Sequence, residues 1–270
     1  MEEATAATIG QPPKAPSRLK LALSKPKAKP RIFTIFGEGG VGKTHLFSTF
    51  PAPVLIRTED GTESIAGKPV YMFDVAQSYA DIIDQLTMLI QDDHGFKTVG
   101  IDTITRMELM FEAEVVRKDP NQPKSIGMAL GGYGNGAKAV AAMHMEVRRL
   151  CGILNEAKRM NVVFLGHATT ETITLPDMEP YNRFSVRMSE KSRTHYTDDV
   201  DIVGLIRLDA HTIKRDKRVT VSSSEDRLIQ CQASADSIAK NRCDIREDIL
   251  YTRTMYEAGT NPLEAYVIKE

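Results

Sequence analysis

An α/β fold with a mainly parallel central sheet flanked by helices is predicted for this chain by three features. Short apolar runs rich in β-branched and aromatic residues alternate with segments whose apolar residues recur at helical spacing, the pattern of a parallel sheet covered by helices. A glycine-rich run, Gly37-Glu38-Gly39-Gly40-Val41-Gly42-Lys43-Thr44, stands between the first of these strands and the first helix. It fits G-x-x-x-x-G-K-[ST], the pattern of a phosphate-cradling P-loop. After Val200 the alternation stops. Strands joined by turns then predict a late antiparallel extension.

The elements follow in order. Arg31 to Phe36 reads as a buried strand, and His45 to Phe50 as a short helix that stops at Pro51. Pro53 to Thr58 is a second strand, closed by the turn Glu59-Asp60-Gly61, and Val70 to Phe73 is a short third. Tyr79 to Gln91 carries Ile82, Ile83, Leu86, Leu89 and Ile90 on one helical face. Thr98 to Asp102 is a strand ending in an acid, and Thr105 to Lys118 a helix. Lys138 to Met160 is the clearest amphipathic helix, and Val162 to Gly166 the next buried strand. Asp201 to Leu208, Arg218 to Ser223 and Arg227 to Gln232 read as the late strands. Two long stretches, Asp119 to Ala137 and Thr169 to Thr197, read as irregular; loops of that length are usually functional or mobile.

The chain has 270 residues, enough for one large α/β domain with appendages. A net charge of −1 names no partner, but its distribution is uneven. Seven Lys or Arg and no acid lie between Lys14 and Arg31, among Pro16, Pro26 and Pro30. Residues 1–29 therefore read as a mobile basic tail, either a nucleic-acid contact or a solvated leader. Residues 30–245 read as the core and 246–270 as a C-terminal extension. Cys151, Cys231 and Cys243 show no metal or redox spacing, which fits a reducing cytoplasm. No apolar run approaches a membrane span, so no membrane partner is expected.

In the glycine run, backbone N–H groups can close around phosphate oxygens where a Cβ would intrude, and the helix start adds partial positive charge. Gly37 to Thr44 and His45 are the expected nucleotide contacts, with Lys43 on the β- and γ-phosphates and Thr44 on Mg²⁺. Asp102 ends an apolar strand, where P-loop NTPases keep the acid of the magnesium site; a turn aspartate is the ordinary alternative. Glu59 ends the strand after the P-loop helix, where a carboxylate can polarise the attacking water. Asp60 and Glu63 are its neighbours, and an acidic turn is the plain alternative. His167 closes the run Val162 to Gly166 and can sense a γ-phosphate, although a lone histidine there is more often structural. Lys240 and Arg242 point the same way on an extended segment and can reach one phosphate together; a solvated basic patch is the alternative.

With these residues in hand, the chain resembles the RecA-like ATPase family. Val163 to Glu171, with His167, Thr169 and Glu171, is similar to the strand-His-x-Thr-x-Glu segment of bacterial RadA. Lys240-Asn241-Arg242 resembles the Lys-Asn-Arg motif of the same proteins, and Leu55 to Glu59 the strand that ends in the RecA catalytic glutamate. The likeness covers residues 30–245. Within the family it is nearest to phage-encoded, core-only proteins of the Sak group, linked to single-strand annealing and recombination. The chain lacks the large flanking domains of bacterial RecA and the zinc motif and protease-like domain of RadA, so annealing or loading is easier to defend than full strand exchange.

The resemblance implies a RecA-like core that uses ATP and Mg²⁺ in a ring or filament, with Lys240 and Arg242 acting on the neighbour's nucleotide. It also places DNA-binding loops in the two irregular stretches. The first offers Lys124, Tyr133 and Lys138; the second offers Arg183, Phe184, Arg187, Lys191 and Arg193. Cations and aromatic rings of this kind suit single-stranded DNA, and a mobile surface loop is the alternative. Further expected partners are copies of itself and a single-strand-binding protein, in a bacterial host cytoplasm. A hexameric DNA motor and a nucleotide switch acting on protein are the competing readings. A GTPase is disfavoured because no Asn-Lys-x-Asp motif occurs.

Overall fold

The structure, a computed structural model, describes residues 28–215 and 218–267. All but the last two residues of the expected basic tail lie outside them. The strands are β1 (Ile32–Gly37), β2 (Pro53–Arg57), β3 (Tyr71–Met72), β4 (Thr98–Asp102), β5 (Asn161–Leu175), β6 (Met178–Val186), β7 (Ile202–Arg215), β8 (Arg218–Gln230), β9 (Lys240–Asn241) and β10 (Ile249–Tyr251). The α-helices are α1 (Lys43–Ser48), α2 (Tyr79–Gln91), α3 (Ile104–Lys118), α4 (Asn135–Glu156), α5 (Glu190–Thr197) and α6 (Arg253–Ala258).

The main sheet runs in the order β10-β8-β7-β1-β5-β4-β2-β3. From β3 to β7 every neighbouring pair is parallel, while β8, β9 and β10 add antiparallel. This is the expected architecture: a parallel core with a late antiparallel extension. Strand β1 is buried along its whole length, because helices cover both sheet faces. Its side chains alternate between two cores. Ile32 and Phe36 join Val54, Ile101 and Phe164 beneath α2, α3 and α4. Phe33 and Ile35 join Leu55, Val163, Leu46, Phe47 and the C-terminal Tyr251 and Leu263 on the other face.

Local chemistry starts the helices where the site needs them. The Ser78 hydroxyl accepts from Asp81 N at 3.2 Å and the Asp81 carboxylate accepts from Ser78 N at 3.0 Å, closing a capping box on α2. Thr103 caps α3 directly after Asp102, which fixes that acid at a strand-to-helix corner.

Two expectations are corrected. Thr169 to Thr197 is not irregular. Strand β5 continues to Leu175, turns at Pro176-Asp177 and returns antiparallel as β6, and α5 follows. Thr169, Thr170, Thr172, Ile173 and Thr174 are β-branched and favour a strand. Strands β7 and β8 likewise form one long hairpin, paired from Leu205↔Gln230 out to Arg215↔Arg218, with a register shift between Leu208 and Ala210. Of the expected irregular stretch Asp119 to Ala137, residues Asp119 to Gly134 are irregular apart from the 3₁₀ turn Ala129–Gly131, while Asn135 to Ala137 already belong to α4.

Candidate nucleotide site

Parallel strands β2, β4, β5 and β1 lie side by side, so their C-terminal ends present Glu59, Asp102, His167 and the glycine loop at one edge. Open α/β sheets bind ligands at this edge. Gly37 pairs with both His167 and Ile206. A Cβ on it would fall 2.3 Å from the Ile206 carbonyl oxygen, so only glycine lets the loop leave between these strands. Gly42, with φ of 101°, holds the left-handed turn that aims α1 back at the loop.

The loop encloses a cavity of about 200 Å³ lined by Gly40, Gly42 to His45, Glu59, Gly61, Ser64, Asp102, Thr103, His167 and Tyr256. Lys43 is buried, and its Nζ donates to the carbonyls of Gly37 at 3.1 Å and Glu38 at 2.8 Å. Burial lowers its pKa; Asp102 and Glu59 oppose that, and Arg187 adds to it. Thr44 Oγ1 donates to Asp102 Oδ2 at 2.6 Å. Burial raises the Asp102 carboxyl above the ordinary range, Thr44 counteracts this and Glu59 adds to it.

Glu59 Oε1 lies 3.5 Å from His167 Nε2. The hydrogen bond from His167 holds the Glu59 carboxyl below its ordinary range, against the effect of burial. The position of His167 is fixed through its backbone. Its N–H donates to Thr105 Oγ1 at 2.9 Å, and its carbonyl accepts from Arg187 N at 2.9 Å. Asp60, the rival to Glu59, is exposed and turned to Arg57 at 3.5 Å; it does not line the cavity.

The donor set suits Mg²⁺. Asp102 is a buried carboxylate that feels Lys43 and His167 only through space, and the Thr44 hydroxyl already touches it. No group of three or more His, Cys, Asp or Glu suited to a metal occurs among the described residues. One carboxylate and one hydroxyl, completed by phosphates and water, is how Mg²⁺ is usually held.

Other expected residues lie elsewhere. Lys240 opens β9 and Arg242 follows it; the strand pairs with the N-terminal part of β7 at the end of the sheet away from the glycine loop. There Lys240 Nζ donates to the carbonyls of Thr197, at 3.1 Å, and of Asp198, and Arg242 reaches Asp198 O at 3.1 Å. Within one chain the pair caps the C-terminus of α5, where cations are favoured. It is not brought to the cavity of its own subunit.

Arg183 and Arg193 converge on Glu171, at 2.7 and 2.9 Å, so their charge is partly neutralised. Phe184 packs inward and lines a second cavity of about 360 Å³ beside Glu38 to Val41. Arg187 is exposed, and its guanidinium has no hydrogen bond or ion pair among the described residues. Lys124, Lys138, Lys191 and Tyr133 are exposed, Tyr133 at 98%.

Two residues of this region escaped sequence reasoning. Tyr256, from the C-terminal extension, lines the cavity. Arg227, from β8, donates through Nε to Val41 O at 2.7 Å and so ties the antiparallel extension to the glycine loop. Neither stands in a motif; an aromatic residue in a short late helix carries no signal of its own.

No helix among the described residues is long and apolar enough to cross a membrane. No curated protein matches the chain. Residues 29–243 match the model of an AAA domain, a P-loop ATPase-like domain that includes every strand end of this site, and the chain belongs to that family.

Proposed function

We propose that this chain is an ATP-hydrolysing, RecA-like protein that binds single-stranded DNA and promotes annealing or recombination as a ring or filament. One observation carries the reading: strand β5 places His167 against Glu59 in the nucleotide site and then continues directly into the β5–β6 hairpin, which bears Arg183 and leads to Arg187. His167 on β5 and the cations Arg183, on the paired strand β6, and Arg187, just after it, thus belong to one continuous hairpin.

The residues divide the work. The glycine-loop amides and Lys43 bind and orient the phosphates. Mg²⁺, held with the nucleotide by Thr44 and Asp102, would neutralise phosphate charge. Glu59, kept ionised by His167, accepts the proton of the attacking water. In the assembled form, Lys240 and Arg242 serve the nucleotide of the neighbouring subunit. The arrangement across the subunit interface rests on the family resemblance and on their distance from their own glycine loop.

The test measures ATP turnover and particle size in the same samples, with and without single-stranded DNA. DNA-stimulated turnover in an oligomer supports the reading. Turnover indifferent to DNA turns it towards a nucleotide switch, and ATP-driven unwinding of a tailed duplex turns it towards a motor. Mixing Lys43→Ala subunits with Lys240→Ala/Arg242→Ala subunits tests the shared site. Partial recovery is expected; mixtures that exchange subunits and stay inactive remove the role in the neighbour's site.

A further inference from the structure

The cavity is lined by two chemically different groups. Glu59, Asp102 and His167 form one. The other is Tyr256 stacked on His45, and Tyr256 lies beyond residue 243, where the family match stops. Its helix is fixed locally: Thr252 caps Met255 N at 3.1 Å, and Arg253 N donates to Asp226 Oδ1 at 2.7 Å. The preceding Tyr251 is fully buried and places its hydroxyl 2.9 Å from His45 Nδ1.

The Tyr256 ring stacks on the His45 imidazole, with centroids 3.7 Å apart and planes at 14°. The Arg227 guanidinium carbon lies 4.2 Å from the same centroid. Groups that close to one centroid overlap if they share a face, so the phenol ring is held between an imidazole and a guanidinium. Only its rim is left for the cavity. That rim also packs on the loop: a Cβ on Gly42 would come within 3.0 Å of Tyr256 Cε2.

We propose that Tyr256 is the nucleoside contact of this site, so that a segment outside the family-matched region completes it within the same chain. The inference rests on the nucleotide-binding reading above. On that reading phosphates would occupy the Gly40–Thr44 backbone and Lys43, with the terminal phosphate facing Asp102, Glu59 and His167. The nucleoside must then leave past His45, where Tyr256 stands. The open cleft of about 200 Å³ is smaller than the roughly 300–1,000 Å³ of pockets that take a whole ligand, so ribose and base would extend past its mouth. An aromatic edge there suits the face of a base.

The test compares MgATP, MgADP and inorganic tripolyphosphate by calorimetry on the full chain and on Tyr256→Ala, Tyr256→Phe and Lys43→Ala. Tyr256→Ala is expected to weaken ATP and ADP about fivefold or more while tripolyphosphate stays within about twofold, and Tyr256→Phe to restore nucleotide affinity. Unchanged tripolyphosphate binding also shows that the loop is still folded. ATP affinity unaltered in Tyr256→Ala overturns the proposal. So does an equal loss for tripolyphosphate, which would make Tyr256 a prop for the loop. If instead Lys43→Ala binds ATP and tripolyphosphate like the parent, the nucleotide reading itself fails, and this inference with it.

Discussion

Asp102→Asn should separate stability from ligand binding. The carboxylate is buried and its pKa is raised by that burial, so its ionised form costs stability once pH exceeds the unfolded-state value, and that cost is present at neutral pH. An asparagine oxygen in the same place still accepts from Thr44, which donates at 2.6 Å in the parent. The ligand-free variant should therefore melt no lower than the parent. Its response to MgATP should be lost, because the carboxylate proposed to hold Mg²⁺ is gone. At a free ligand concentration of a hundred times Kd, the parent gains about 2.7 kcal/mol. For a domain of this size that is an upward shift of about 5–10 °C. Scanning calorimetry with and without MgATP reads both quantities. A ligand-free variant melting several degrees below the parent would refute the electrostatic argument. A full MgATP shift in the variant would refute the magnesium assignment.

Further outcomes are expected elsewhere. Glu59→Gln should bind ATP and slow turnover about 10²- to 10⁴-fold, with Asp60→Asn near normal; the reverse pattern would move the role to Asp60. The His45 imidazole should titrate near pH 4 by NMR. Because the unfolded chain takes the proton first, its contribution to stability is complete above about pH 6.5 and declines as pH falls towards 4; a midpoint near 6.5 would show that the imidazole is not buried beside Lys68 and Arg227 in solution. Glu171→Gln releases Arg183 and Arg193, and should tighten single-stranded DNA binding and steepen its salt slope by about 0.7 per added phosphate contact. An unchanged slope would take the hairpin out of the DNA path.

The parallel core was legible because its signals are local. β1, β2, β4 and the first half of β5 are short buried apolar runs, and the glycine loop has a fixed spacing. Glu59, Asp102 and His167 could be placed because each ends such a strand. The second half of β5 was not read as strand, since the hairpin it makes with β6 is solvated and carries Glu171 and Arg183 in place of a buried apolar face. Tyr256 and Arg227 were invisible for another reason. Their meaning arises only when β8 and α6 fold back over Gly42 and His45, contacts that span the chain and leave no spacing to detect.

Strand β5 belongs to two structures at once: Asn161 to His167 are paired inside the core, and Ala168 to Leu175 pair only with β6. At about 3.3 Å per residue, the free part reaches roughly 26 Å beyond His167. Such an arm is a lever braced near its base, where Phe184 N donates to Asp236 O at 2.7 Å and the Phe184 carbonyl accepts from Ile238 N at 3.2 Å. A sideways pull of about 5 Å at the tip turns the strand by only about 11° at its base, by that same geometry. A contact at the far end of the hairpin is therefore demagnified before it reaches Glu59. A contact at Arg187, whose amide is bonded to the carbonyl of His167, is not. For a strand of DNA to report its presence to the nucleotide, the foot of the arm is the effective place to touch.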